Sequence, residues 1–186
     1  MKEYEREYDY YRNLNRISQK GNVVLFGSSF MKSIPVSELT QTFGLNCVAY
    51  NRSFTDLSVF DAKKLLSDTV TELMPAKLVL QLGETDLARG YKSLNEITEE
   101  YAKLIKYIKA ENKKIKIIIA SICSTDPETV KYNKMLEELA NKLGCQYADI
   151  TNEDETLMPE VKAFSLLKCF IIDKLNFYDI MQYSFS

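Results

Sequence analysis

Two kinds of segment follow one another along this chain, and they differ in how apolar and polar residues are spaced. Five short runs are almost continuously apolar and rich in β-branched residues, which is typical of strands buried on both faces of a parallel sheet. They cover 23–26, 45–50, 77–82, 115–121 and 145–150. Between them, apolar residues recur every three or four positions, which is the period of one helix face. These helical stretches cover 36–43, 57–74, 94–108 and 132–143.

The regular succession of strands and helices predicts one doubly wound domain. Parallel strands need crossover connections, and right-handed crossovers place helices on both faces of the sheet. We therefore expect an α/β fold over 21–186, a three-layer α/β/α sandwich with a five-stranded parallel sheet. In such sheets the functional site lies at the carboxyl ends of the strands. Three loops fall there, at 27–29, 51–54 and 83–86.

A separate amphipathic helix is predicted at the start of the chain, within residues 1–20. Its apolar stripe is formed by Tyr4, Tyr8, Tyr11, Leu14 and Ile17, at spacings of three and four. One interpretation is that this stripe packs on the domain. The other is that it forms a surface for a protein partner or for self-association, because tyrosine combines an apolar ring with a polar tip.

Composition narrows the possible functions. The chain has 186 residues, 46% of them hydrophobic, with a formal net charge of −2 and a pI near 5.4. A large core is therefore possible, whereas binding to nucleic acid or to an anionic membrane surface is disfavoured. No apolar stretch reaches the ~20 residues of a membrane span, so we expect a cytoplasmic protein. The four cysteines are widely spaced, and the acidic stretch at 151–162 matches no calcium loop, so no metal or other cofactor is expected.

The most informative stretch is VVLFGSSFM at 23–31. An apolar strand ends there at Gly27 and is followed by two hydroxyl side chains, Ser28 and Ser29. If a helix begins just after them, free backbone N–H groups will favour negative charge that develops beside the serines. This is a suitable place for a serine nucleophile.

Four short motifs occur in order along the chain: FGSSF at 26–30, NRSF at 51–54, LGETD at 82–86 and DKLN at 173–176. Together they resemble the four blocks of the SGNH (GDSL-type) esterase and acylhydrolase superfamily, which has a flavodoxin-like fold. The resemblance implies that Ser29 is the nucleophile and that Ser53 and Thr85 hold the oxyanion positions. It also places Asp173 and Asn176 where the family has its Asp and His. A small acylated or carbohydrate ligand would then be expected.

The absence of histidine changes what this resemblance implies about activity. A serine hydroxyl needs a base to take its proton, and there is no histidine anywhere in the chain. Asn176 cannot accept that proton, and Thr85 replaces the asparagine of the family's oxyanion block. The leading prediction is therefore a hydrolase-fold protein that is catalytically impaired or inactive. The alternatives are an active cytoplasmic esterase with a Ser29–Asp173 arrangement and a protein-interaction module.

Overall fold

The sheet contains five strands, all parallel. A computed structural model describes residues 4–151 and 156–172. Its strands are β1 (Val23–Gly27), β2 (Ala49–Asn51), β3 (Lys77–Gln81), β4 (Lys116–Ala120) and β5 (Gln146–Ala148). They are ordered β2-β1-β3-β4-β5, and every neighbouring pair is parallel. The predicted α/β fold with a five-stranded parallel sheet is confirmed.

The described part of the chain contains eight α-helices, of which all but the first and the last lie between strands. They are α1 (Glu5–Asn15), α2 (Ser29–Ser33), α3 (Val36–Thr42), α4 (Val59–Thr69), α5 (Glu84–Arg89), α6 (Leu94–Glu111), α7 (Pro127–Leu143) and α8 (Pro159–Ile171). None of them combines the length and apolar character that a membrane span needs.

The sequence pattern does not predict helix α8, because 151–162 stands out only as an acidic stretch. The helix begins at Pro159, in the first-turn position where proline costs no hydrogen bond. Ala163, Phe164, Leu167 and Ile171 form its buried face. The acidic composition around Met158 concealed this start, because the apolar period appears only after the first turn.

Each face of the sheet carries its own core, because successive strand residues point to opposite sides. Val24 and Phe26 of β1 pack with α4, α6 and α7, whereas Val23 and Leu25 pack with α3 and α8. The sheet is therefore covered on both faces. The loops that follow β1, β2 and β3 lie at the carboxyl ends of the strands.

Helix α1 packs beside α4 and extends the first of these cores. Tyr4 and Tyr11 are buried, and their rings make edge-on contacts with Phe54. The Asn15 side chain donates hydrogen bonds to the carbonyls of Asp68 and Thr69, at the end of α4. Two tyrosines of the predicted stripe thus lie inside the molecule.

Candidate active site around Ser29

A close approach between β1 and β3 creates the turn that presents Ser29. A Cβ atom at Gly27 would lie 2.4 Å from the Gln81 carbonyl oxygen and 2.8 Å from the Met31 Cβ, so only glycine fits. The chain turns there from β1 directly into α2. Ser28 is fully buried at this turn, and Ser29, the first residue of α2, is half-buried. The predicted position of Ser29 at a strand end is therefore the observed one.

The Ser29 hydroxyl makes two hydrogen bonds, both to Asp56. It donates to the Asp56 carboxylate, with 2.9 Å between Oγ and Oδ1. It also accepts from the Asp56 backbone N–H, at 2.9 Å. A serine oxygen in contact with both a carboxylate and a backbone donor has a proton acceptor and a source of positive potential beside it. Asp56 was not among the site residues predicted from sequence.

The backbone of Asp56 adopts an uncommon conformation. Its φ angle is +50°, in the left-handed region that favours glycine and, among other residues, asparagine and aspartate. This conformation directs its N–H toward Ser29. The sequence signal was weak, because an aspartate two residues before a helix cap is usually no more than a turn residue.

Ser53, the residue that the resemblance placed in the oxyanion position, faces elsewhere. Its side chain is fully buried, and its backbone N–H donates to Asn51 Oδ1 at 3.1 Å. The N–H group that contacts Ser29 belongs to Asp56, three residues later. Asn51 in turn donates to the Met31 and Ile34 carbonyls, so it fixes the end of α2 against the loop.

Thr85, the other predicted oxyanion residue, is buried and paired with Ser28. Their hydroxyl oxygens are 2.7 Å apart. The pair lies below the Ser29 turn and links β1 to the start of α5. Gly83 makes this approach possible, since its φ is +107° and a Cβ there would lie 2.5 Å from the Tyr132 ring. The hydroxyl of Thr85 is thus committed to Ser28.

The acidic residues on either side of Thr85 have separate roles. Glu84 accepts from the Phe30 backbone N–H at 3.3 Å and so brings a second carboxylate close to the Ser29 turn. Asp86 is buried and accepts from the Ser58 hydroxyl at 2.5 Å and from the Val59 N–H at 2.9 Å. Asp86 therefore stabilises the start of α4, where negative charge is favourable.

Asp173 and Asn176 lie outside the described residues, so their predicted pairing with Ser29 stays a prediction. The chain that leads to them is described as far as Ile172. Helix α8 begins beside α2, where the Ser33 hydroxyl donates to Glu160 at 3.1 Å. It ends at the amino-terminal end of the strands. There the backbone carbonyls of Phe170 and Ile171 accept hydrogen bonds from the Lys77 side chain at the start of β3.

Cys123 lies near Glu84, and its chemistry is unsuited to nucleophilic attack. Burial raises its pKa to about 12, with a further contribution from the negative charges of Asp149, Glu84 and Glu160. The thiolate needed for attack is therefore scarce at neutral pH. Within 4–151 and 156–172, no three Cys, Asp or Glu side chains come together in an arrangement that could hold a metal ion.

Comparison with solved structures gives consistent matches. A proposed platelet activating factor from Streptococcus pneumoniae is 19% identical, with a TM-score of 0.74 over 92% of this chain and 94% of that chain. A GDSL-like lipase from Bacteroides thetaiotaomicron is 16% identical, with a TM-score of 0.67 over 88% and 94%. An acetylxylan esterase from Geobacillus stearothermophilus is 17% identical, with a TM-score of 0.63 over 82% and 94%. No family model and no curated protein matches the sequence.

Proposed function

We propose that this chain, which has the SGNH/GDSL hydrolase fold, is a catalytically impaired descendant of serine ester hydrolases. Its Ser29 would react slowly with small activated acyl esters and would not support efficient turnover of unactivated ones. The shared fold supports the ancestry. The impairment is inferred from the residues around Ser29. The proposed ligand class is a small acylated molecule or a carbohydrate.

The observation that carries the proposal is the contact of Ser29 with Asp56. Both hydrogen bonds of the Ser29 hydroxyl go to that one residue, and the chain contains no imidazole. An aspartate carboxylate can take the proton of an attacking hydroxyl, but it is a much weaker base than imidazole. Slow acylation by esters with good leaving groups is the chemistry that this pair supports.

The charge distribution beside Ser29 also disfavours fast acyl transfer. The Asp56 N–H can stabilise an oxyanion, but the Asp56 carboxylate lies 2.9 Å from the attacking oxygen and Glu84 contacts the next backbone N–H. Negative charges close to a developing oxyanion raise its energy. The hydroxyl of Thr85 is occupied by Ser28. Losing one good oxyanion donor typically costs about 10²–10³ in rate, and the missing base adds about 10²–10⁴.

The test is the hydrolysis of p-nitrophenyl acetate by the full chain and by three variants. We expect slow hydrolysis that Ser29→Ala removes and that Asp56→Asn reduces at least tenfold, because asparagine keeps the backbone donor but is no base. Asp61→Asn is the matched control, since Asp61 pairs with Lys64 on an exposed part of α4. A parent rate that Ser29→Ala leaves unchanged contradicts the proposal.

A fluorophosphonate probe separates this function from an efficient esterase. Because Ser29 lacks a strong base, we expect no appreciable labelling at neutral pH. Rapid stoichiometric labelling that Ser29→Ala removes would favour the active esterase. If Asp173→Asn then abolished labelling while Asp56→Asn did not, the Ser29–Asp173 arrangement would be supported instead.

A further inference from the structure

Helix α1 holds the loop that carries Asp56, by contacts that repeat along one helix face. The Tyr11 hydroxyl donates to the Ser53 carbonyl at 2.5 Å, and the Tyr4 hydroxyl donates to the Asp56 carbonyl at 3.1 Å. Between them, Glu7 accepts from the Thr55 backbone N–H at 3.2 Å. Positions 4, 7 and 11 share one side of a helix. Each turn of α1 therefore holds a successive part of the loop.

Glu7 also connects this loop to the helix that begins with Ser29. Its Oε1 accepts from the Thr55 hydroxyl at 2.8 Å and forms an ion pair with Lys32 of α2. Lys32 in turn donates to the Thr55 hydroxyl at 2.7 Å. One carboxylate thus links α1, the Asp56 loop and the nucleophile helix.

The loop needs such support because of its backbone conformation. Asp56 has a φ of +50°, in the left-handed region that is unfavourable for most residues other than glycine. The restraints lie on both sides of it, at the Thr55 N–H and at the Asp56 carbonyl. Without them the loop could relax to a negative φ, and the Asp56 N–H would then turn away from Ser29.

We propose that Glu7 is a positioning residue of the Ser29 site. Through Thr55 and Lys32 it fixes the peptide group whose N–H, at Asp56, faces the Ser29 hydroxyl. It does not touch the reacting atoms. The inference rests on the proposed function for its effect on rate, while its effect on the loop is independent of any activity. The amino-terminal helix is then part of the site.

The experiment compares Glu7→Ala, Glu7→Gln and Tyr8→Phe in the full chain. Tyr8 is the matched control, because it lies on the same helix but its hydroxyl donates to Asp68 on α4 and not to the loop. The first readout is amide hydrogen exchange at Thr55 and Asp56, measured by NMR. The second is the kcat and KM for p-nitrophenyl acetate.

We expect Glu7→Ala to accelerate exchange at both amides at least tenfold and to lower kcat about tenfold, with KM within twofold of the parent. A displacement of ~1 Å at a reacting site can cost up to about 10²-fold in rate. Glu7→Gln should recover most of both effects, since its amide oxygen can still accept from the Thr55 N–H. Tyr8→Phe should change neither readout.

The two readouts keep the two proposals distinguishable. Unchanged exchange in Glu7→Ala overturns the positioning role, whatever the kinetics show. Equal losses of kcat in Glu7→Ala and Tyr8→Phe also overturn it, because α1 would then act only through overall stability. If the parent shows no Ser29-dependent hydrolysis, the proposed function fails. Faster exchange in Glu7→Ala alone would still support the positioning of the loop.

Discussion

Ser29 and Cys123 show how the immediate surroundings of a side chain decide its reactivity. Ser29 has a carboxylate at 2.9 Å that can accept its proton, although weakly. Burial raises the pKa of the Cys123 thiol to about 12, and the negative charges of nearby carboxylates add to this effect. A neighbouring carboxylate therefore gives the hydroxyl a base, whereas burial withholds the thiolate from the cysteine.

This difference leads to a prediction about thiol alkylation. At pH 8, a pKa of about 12 leaves about one Cys123 in ten thousand as thiolate. We expect iodoacetamide to modify the exposed Cys169 at least tenfold faster than Cys123, as measured by peptide mass spectrometry over time. Raising the pH toward 10 should accelerate Cys123 modification, because the thiolate fraction grows about tenfold per pH unit. Equal rates at pH 8 would contradict the high pKa.

Helix α8 brings the residues just before it close to α2, the helix that begins with Ser29. It starts beside α2, where Ser33 contacts Glu160. It ends beside Lys77, at the amino-terminal end of the central strand β3. The exposed Leu157 lies two residues before α8, so it is on the same side of the sheet as α2, at the carboxyl ends of the strands. Asn176, the position that the family resemblance assigns to the base, lies outside the described residues.

A histidine introduced at Leu157 or at Asn176 tests whether either position can supply Ser29 with a base. We expect Leu157→His to raise the rate of p-nitrophenyl acetate hydrolysis about tenfold, because a general base can contribute about 10²–10⁴ when well placed and less when unsupported. Each histidine variant is repeated with Ser29→Ala, which should remove the gain. A larger, Ser29-dependent gain from Asn176→His would support the pairing that the family resemblance implies.

The molecule as a whole depends on contacts between α1 and the main domain. Tyr11 is 7% exposed, packs against Phe54 and donates to Ser53, whereas the neighbouring Tyr10 is 60% exposed. Within the predicted stripe, Tyr4 and Tyr11 lie in the interior, whereas Ile17 is 84% exposed. Only the outward residues of the stripe remain for a partner protein or a second copy of the chain.

These two adjacent tyrosines provide a matched pair of variants. Tyr11→Ala should lower the free energy of unfolding by about 3–5 kcal/mol, as expected for a buried aromatic side chain. Tyr10→Ala should change it by less than about 0.5 kcal/mol, since exposed positions contribute little. Urea denaturation measures both.

Sedimentation over a range of concentrations addresses self-association, which would be supported by a concentration-dependent mass that Tyr10→Ala removes.

Local periodicity in the sequence determined the order of strands and helices, the five-stranded parallel sheet and the place of Ser29 at the end of β1. The apolar runs and the Gly27 break are properties of neighbouring residues, so they could be read without a structure. The resemblance to the SGNH fold, carried by short motifs at strand ends, is confirmed by the solved structures.

Only the tertiary structure decided which groups meet Ser29. Asp56 and Ser53 lie three residues apart in the same loop, and nothing in their spacing shows which backbone N–H points at the nucleophile. That choice depends on the +50° φ angle of Asp56 and on contacts from Tyr4 and Glu7, about 50 residues earlier in the chain. Contacts between distant segments follow from packing, and packing leaves no local period in the sequence.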